Sequence, residues 1–338
     1  MTVSEVTPTL STRPYESRHR TRAAELIAPA PIGGTLRTKE QGARALIKLG
    51  GSLLLGRVAQ HRVFGHLDDD VWFAVNTSAS RRFPVLQRVL PGLPDPAIQV
   101  EFIGSSGDSA LEEAFRAYQL IRAVAMRAGH PISRQSTILD FGCGWGRTLR
   151  FFMRDVPASQ LYGVDVMPLA IELCRKTNRW CQFSLVPPLP PSNLPSNTFD
   201  LIYLYSVFSH LSEEAHRRWL DEFHRLLRPG GLLFATTWQR EYIERCERAR
   251  QGDTRWTHPG SLSSFVGTHE WLEKYDRGEF CHSPVGGSRD TLASNFYGET
   301  CIPEAYVRRS WSDKFRIVDY LEADGQWLSQ NLIVAERL

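Results

Sequence analysis

Ile138-Leu139-Asp140-Phe141-Gly142-Cys143-Gly144-Trp145-Gly146 is a short apolar run that meets an acidic residue and then carries glycine at every second position. Such a run has strand length, and the pattern after it, Arg147 to Met153, is helical. A strand that turns into a helix over bare glycines lets a ligand lie against main-chain N–H groups at a helix N-terminus. The dinucleotide fingerprint would need a glycine at position 147, which is Arg147.

The segments that follow repeat the alternation of a parallel α/β sheet. Leu161-Tyr162-Gly163-Val164-Asp165 is a second short strand that closes on a carboxylate, at the place where such folds bind a ribose. Phe199 to Tyr205 is another apolar strand, and an amphipathic helix is predicted from Glu213 to Leu227, stopped by Arg228-Pro229-Gly230-Gly231. Leu232 to Thr237 is the next buried strand. Near the end, Ala323-Asp324-Gly325-Gln326 places an Asp-Gly pair between two strand-like runs, which predicts a hairpin of 315–322 with 327–335.

Three blocks, Asp140 to Arg147, Tyr205-Ser206-Val207-Phe208-Ser209-His210-Leu211 and Leu227 to Gly231, occur in this order. With them the chain resembles the class I S-adenosylmethionine-dependent methyltransferases of the bacterial small-molecule type, over about 105–240 and again over 295–337. The resemblance implies an α/β, Rossmann-like, seven-stranded, mostly parallel sheet with an antiparallel C-terminal hairpin. It also implies S-adenosyl-L-methionine as cofactor, with Gly142, Gly144 and Gly146 bringing backbone against its methionyl and ribose portion. In that reading Cys143 contributes its N–H and Trp145 packs. Asp140 organises the amino-acid end, Asp165 accepts the ribose hydroxyls, Val166 and Met167 line the adenine slot, and Tyr205 with Ser206 faces the sulfonium. The acidic adenine contact that the family often has after its third strand is missing, because Gln182 to Val186 runs into Pro187-Pro188-Leu189-Pro190-Pro191. Backbone carbonyls or a residue near Asn193 are expected to serve instead.

Around this core the chain divides into a mobile tail over 1–36, a helical extension over 37–104 and a methyltransferase domain over 105–338. Residues 37–66 read as helix broken at Gly50-Gly51. Their apolar run Leu53-Leu54-Leu55 is too short to span a bilayer. Arg44, Lys48, Arg57 and Arg62 would permit peripheral membrane contact, but packing on protein is the favoured reading. Asp68-Asp69-Asp70 reads as a solvated helix cap. Ser109 to Ala128 is an amphipathic helix, and the Ser105-Ser106-Gly107 turn before it is expected near the methionine end of the cofactor. Residues 238–300, longer than a minimal core needs, carry Trp238, Tyr242, Trp256, Phe265, Trp271, Tyr275, Phe280, Phe296 and Tyr297 with His258, His269 and His282. They read as a substrate-binding cap.

A methyl sulfonium is already activated, so positioning contributes more than acid–base help: up to about 7–11 kcal/mol against about 10²–10⁴-fold in rate. His210, just after the fourth strand, is the candidate base, with Tyr297, Glu299 and His282 as substrate contacts. The acceptor is expected to be a small molecule with a hydroxyl, a sugar or another secondary metabolite. Alternatives are methylation of RNA or protein, and a scaffold that retains the fold without turnover. A net charge of +3 argues against a nucleic-acid partner. Six cysteines without Cys-x-x-Cys or other metal-ligand spacing predict free thiols, no metal and a cytoplasmic location. The oligomeric state is left open.

Overall fold

The computed structural model describes residues 36–55, 58–253, 260–284, 296–325 and 327–338. The tail expected over 1–36 lies outside these residues apart from Leu36. So do Arg57, Trp256, His258 and Gln326.

The strands are β1 (Ile138–Phe141), β2 (Leu161–Asp165), β3 (Gln182–Leu185), β4 (Phe199–Leu204), β5 (Leu227–Thr237), β6 (Cys281–Pro284), β7 (Gly298–Cys301), β8 (Phe315–Leu321) and β9 (Asn331–Arg337). Seven of them form one sheet in the order β3-β2-β1-β4-β5-β9-β8, and β6 pairs with β7 apart from it. The pairs from β3 to β5 are parallel, and β9 runs antiparallel between β5 and β8. The chain builds outward from β1 through β2 to β3 and then returns to place β4 on the other side of β1. This reversal opens a crevice at the carboxyl ends of β1 and β4, where open α/β sheets hold ligands. The expected mostly parallel sheet with its antiparallel C-terminal pair is present. The connection between β8 and β9 is longer than a tight turn, because the strands end at Leu321 and resume at Asn331.

Strand periodicity sends alternate residues into two cores. Leu201 and Tyr203 of β4 join the core on one face and Ile202 and Leu204 the other. The first core is covered by a helical extension and three helices of the domain. The extension comprises α1 (Leu36–Leu54), α2 (Gln60–Phe64), α3 (Asp69–Asn76), α4 (Ser78–Arg82), α5 (Pro84–Gln87) and α6 (Pro96–Ile103). The domain adds α7 (Gly107–Arg127), α8 (Leu149–Phe152) and α9 (Pro168–Thr177). The second core is covered by α10 (Glu213–Leu226), with α11 (Arg240–Arg250), α12 (Thr268–Asp276) and α13 (Glu304–Ser310) following. In α10 the Ser212 hydroxyl accepts from the Ala215 N–H, acidic residues open the helix and basic ones close it. Its Trp219 and Phe223 are buried against Phe141, worth about 1.5–3 kcal/mol each.

Helix α1 corrects one expectation: it runs unbroken through Gly50-Gly51. Each glycine costs about 1 kcal/mol in a helix, but burial of Ala45 and Leu49 offsets that loss. Among the described residues no helix is long and apolar enough to cross a membrane. The acidic run does sit at a helix start, with Asp68 at the N-cap of α3 and both Asp68 and Asp70 exposed, but its middle residue is not solvated. Asp69 is half-buried and accepts from Gln119, Arg122 and Arg154. Burial alone would raise its pKa, but the neighbouring guanidinium of Arg154 holds the carboxyl below its usual range.

The extension is tied to the helix that follows the glycine turn. Arg150 of α8 is buried and donates to Asn76 Oδ1 at 3.1 Å and to the Pro91 carbonyl at 2.7 Å. Burial lowers its pKa to about 10. Trp72 Nε1 donates to the Phe151 carbonyl, and Arg154 to the Leu67 carbonyl.

Candidate active site

The turn after β1 needs glycine for two different reasons. Gly142 has φ +72°, and a Cβ on it would lie 2.5 Å from Val207 Cγ2. Gly144 has φ +53°, and the nearest atom to its hypothetical Cβ is Phe102 Cδ1 at 3.7 Å, so its outer side faces open space. Gly142 and Cys143 both donate their N–H to the Val164 carbonyl, at 2.8 and 3.0 Å. The Cys143 N–H assigned to the cofactor is therefore committed to β2, and its thiol lies 4.0 Å from Cys174 Sγ. Gly146 also departs from expectation: it packs toward Cys174 and Phe183 and does not line the cavity.

Asp165, at the tip of β2, is pinned by two backbone donors: Gly144 N–H to Oδ2 and Met167 N–H to Oδ1, both at 2.9 Å. Asp140 is buried at the tip of β1, and burial pushes its carboxyl up to about 7 against the lowering effect of the Tyr203 phenol. Both carboxylates face a cavity of about 540 Å³, within the range of ligand pockets. Gly142, Cys143, Gly144, Trp145, Val166, Met167, Tyr205, Ser206, His210 and Tyr297 line it too. Trp145 is buried, and its Nε1 has no hydrogen-bond partner among the described residues. Pro188 also lines the cavity, its carbonyl held by Trp219 Nε1 at 2.9 Å, whereas Asn193 does not line it.

Ser206 has φ +59°, an uncommon value for a residue with a side chain. It is fixed by its N–H to Thr236 Oγ1 at 2.7 Å and by Gln330 Nε2 to its hydroxyl at 3.0 Å. This conformation presents Ser206 Oγ to His210 Nε2 at 3.4 Å. His210 Nδ1 lies 3.0 Å from the Gly298 carbonyl. A carbonyl only accepts, so Nδ1 carries the proton and Nε2 the lone pair. The ring stacks on Tyr297 with centroids 5.0 Å apart, and burial pushes its pKa down to about 4.

Two expected substrate contacts are not at the cavity. Glu299 is buried behind His210, where Oε2 accepts from Trp238 Nε1 at 2.6 Å. His282, on β6, has Nδ1 2.8 Å from Thr300 Oγ1, and that hydroxyl donates to the Leu211 carbonyl. Burial pushes the His282 pKa down to about 4 as well. The expected cap is mostly a core of its own, with Tyr242, Cys246, Phe265, Cys281 and Cys301 packed together beside Trp271 and Tyr275. Of its described aromatic residues, Trp238, Phe296 and Tyr297 reach the cavity, and His269 is exposed beside Glu273.

Sequence reasoning missed a polar group at the cavity that comes from four separate places. Arg147 Nη1 meets Glu113 Oε2 at 2.6 Å, and the Tyr205 hydroxyl donates to Glu113 Oε1 at 3.1 Å and lies 3.0 Å from Ser329 Oγ. Arg147 directly follows the glycine turn, which was the one available signal. The Ser105-Ser106-Gly107 turn does not line the cavity, and the end of α6, Val100 to Gly104, does.

The strand order, the glycine turn on β1 and the carboxylate on β2 define a class I S-adenosylmethionine-dependent methyltransferase fold. Residues 138–231 match the family described as Methyltransferase domain, and the chain carries a domain of that superfamily. It is similar to an uncharacterized protein of Rickettsia prowazekii, 33% identical over 31% of this chain and 43% of that protein. It is also similar to a malonyl-[acyl-carrier protein] O-methyltransferase of Paenibacillus sp., 27% identical over 43% of this chain and 55% of the other. A tRNA N(3)-methylcytidine methyltransferase of Drosophila melanogaster is 29% identical over 32% of this chain and 36% of the other. The chain thus spans less than two thirds of the length of each.

The cofactor of this superfamily is S-adenosylmethionine, and the residues present fit it. The open side of Gly144, the pinned Asp165 carboxylate and the unpartnered Trp145 indole nitrogen are each what a polar, ribose-bearing ligand requires.

Proposed function

We propose that the chain transfers a methyl group from S-adenosylmethionine to a hydroxyl of a small molecule. The observation that carries this reading is the continuity of one cavity from the Gly144 and Asp165 cofactor turn to the Nε2 face of His210. Asp165, with Asp140 behind it, would hold the ribose and amino-acid portions, while Val166, Met167 and Pro188 would flank the base. When bound, the cofactor supplies an electrophilic methyl on sulfur whose departure leaves a neutral thioether. The protein's part is to align an acceptor, exclude water with the Trp238, Phe296 and Tyr297 wall, and take a proton at His210 Nε2.

The cavity also favours an uncharged acceptor over an acid. Glu101, Glu113 and Asp165 line it, and the Arg147 guanidinium beside them is engaged by Glu113. A carboxylate acceptor would meet like charges, and it needs no base because it arrives deprotonated. Titration calorimetry with S-adenosylmethionine and S-adenosylhomocysteine tests the cofactor site, with a Kd on the order of micromolar expected. Transfer from trideuteromethyl-labelled S-adenosylmethionine to a small-molecule extract tests the chemistry, with an alkali-stable methyl ether expected. An alkali-labile methyl ester or label in added tRNA would overturn the hydroxyl reading, and absence of binding would overturn the cofactor assignment.

A further inference from the structure

Glu299 was expected to touch substrate, and its actual position gives it another use. Its Oε2 lies 3.7 Å from His210 Nδ1, on the side of the ring away from the cavity. The carboxylate is held in place from several directions. Trp238 Nε1 donates to Oε2 at 2.6 Å, and Gly260 presses so close that a Cβ there would lie 2.5 Å from Oε1. The Tyr242 phenol is pushed up first by burial and then by the charge of Glu299. A carboxyl group with so much built around it, in a buried pocket beside an imidazole, is costly unless it interacts with a charge.

We propose that Glu299 is a positioning residue for His210. The Gly298 carbonyl fixes the tautomer with Nδ1 protonated and Nε2 toward the cavity, and Glu299, 3.7 Å from Nδ1, stabilises the imidazolium that forms when an acceptor hydroxyl gives up its proton. This rests on the methyl-transfer reading above. The acceptor O–H proton moves to Nε2, Nδ1 keeps its own proton, and Glu299 remains a carboxylate throughout. The proton then leaves from Nε2 to solvent once the product has gone. Other groups facing His210 are Ser206 and Ser209 after β4, Tyr297 before β7, and His282 on β6. His282 is kept neutral by burial and adds no opposing charge, and among the described residues Glu299 is the carboxylate beside the ring that favours the imidazolium.

The test is a histidine titration by NMR on the full chain with 15N-labelled imidazoles, using His210→Gln to assign the signal. In the wild-type chain burial lowers the His210 pKa to about 4, with the Gly298 carbonyl opposing the shift. The wild-type midpoint is expected to lie about one pH unit or more above that of Glu299→Gln, because an opposite charge within about 4–6 Å favours the ionised form. Glu299→Asp, which keeps the charge but draws it back, should fall between them. It carries the test alone if Glu299→Gln does not fold. Equal midpoints in wild type and variants, including a ring that stays neutral to pH 4 in all of them, would overturn the proposal. Calorimetry with S-adenosylhomocysteine on the same samples separates the two ideas: failure to bind removes the methyl-transfer reading, whereas the midpoints report on Glu299 regardless.

Discussion

Replacing Asp165 with Asn probes the cofactor site at the point where its geometry is best defined. The side chain accepts from two backbone donors on different segments, Gly144 N–H and Met167 N–H, each at 2.9 Å. Each carboxylate oxygen can accept more than one bond, so these two do not prevent it from receiving ribose hydroxyls. The amide of Asn supplies one oxygen and turns two donors toward the other N–H. One backbone donor is left unmatched, which costs about 1–3 kcal/mol of stability. On the ligand side one charge-assisted bond is lost, worth about 1.5–3 kcal/mol, or about 10–150-fold in Kd. Asp165→Ala strands both donors and should lose about 2–6 kcal/mol of stability, so its binding defect would be mixed with unfolding. The assay is calorimetry with S-adenosylhomocysteine, paired with urea unfolding of the ligand-free proteins. If Asp165→Asn binds within about twofold of wild type while remaining folded, Asp165 does not hold the ribose.

Three further outcomes follow from the packing and charges. Gly142→Ala combines a left-handed backbone, costing about 1–2 kcal/mol, with a clash against Val207. Val207→Ala should restore part of the loss in the double variant, measured as a non-additive shift in urea midpoint. His216 is buried, with Nε2 accepting from Trp311 Nε1, and its pKa is lowered to about 3, first by burial and then by Arg217. Its folded pKa lies below the unfolded value near 6.5, so its contribution is present above about pH 6.5 and is lost as pH falls toward 3, amounting to about 2 kcal/mol by pH 5. The slope of unfolding free energy between pH 6 and 4.5 should be shallower by about one proton in His216→Phe. Arg150→Met leaves the Pro91 carbonyl and Asn76 without their donor and should lower stability by about 2–5 kcal/mol in thermal or urea unfolding.

The sheet was legible because its signals are local. β1, β2, β4 and the Leu232 to Thr237 part of β5 are short, mostly apolar runs, although β5 itself begins at Leu227 and takes in the stretch read as a helix stop, and the order of the three motif blocks brought in a family resemblance. The Asp165 assignment depended on one residue at one strand tip. What could not be read depends on residues far apart in the chain. Glu113, Arg147, Tyr205 and Ser329 meet only because α7 and the β8–β9 connection both cross the mouth of the crevice. Tyr297 lies just before β7 and Glu299 lies on it, so strand periodicity does not relate them, and one side chain reaches the cavity while the other goes behind His210. The aromatic richness of 238–300 signalled burial correctly but not against what, since aromatic residues pack on one another as readily as on a ligand. Gly50-Gly51 misled because a local propensity of about 1 kcal/mol per glycine yields to packing of the same helix.

The position of β9 has a consequence for how the protein comes into being. It is made after β8 yet lies between β8 and β5, so β8 has no place in the sheet until its successor has been made. From the synthesis of Thr237 to that of Arg337 the ribosome adds 100 residues. At about 5–20 residues per second, this leaves the Leu232 to Thr237 edge of β5 open for about 5–20 s. That edge is apolar and free of charge, the composition most prone to pair with the wrong strand. A nascent chain of this kind has its period of greatest risk between the making of β5 and that of β9, and it is the antiparallel β9 that ends it.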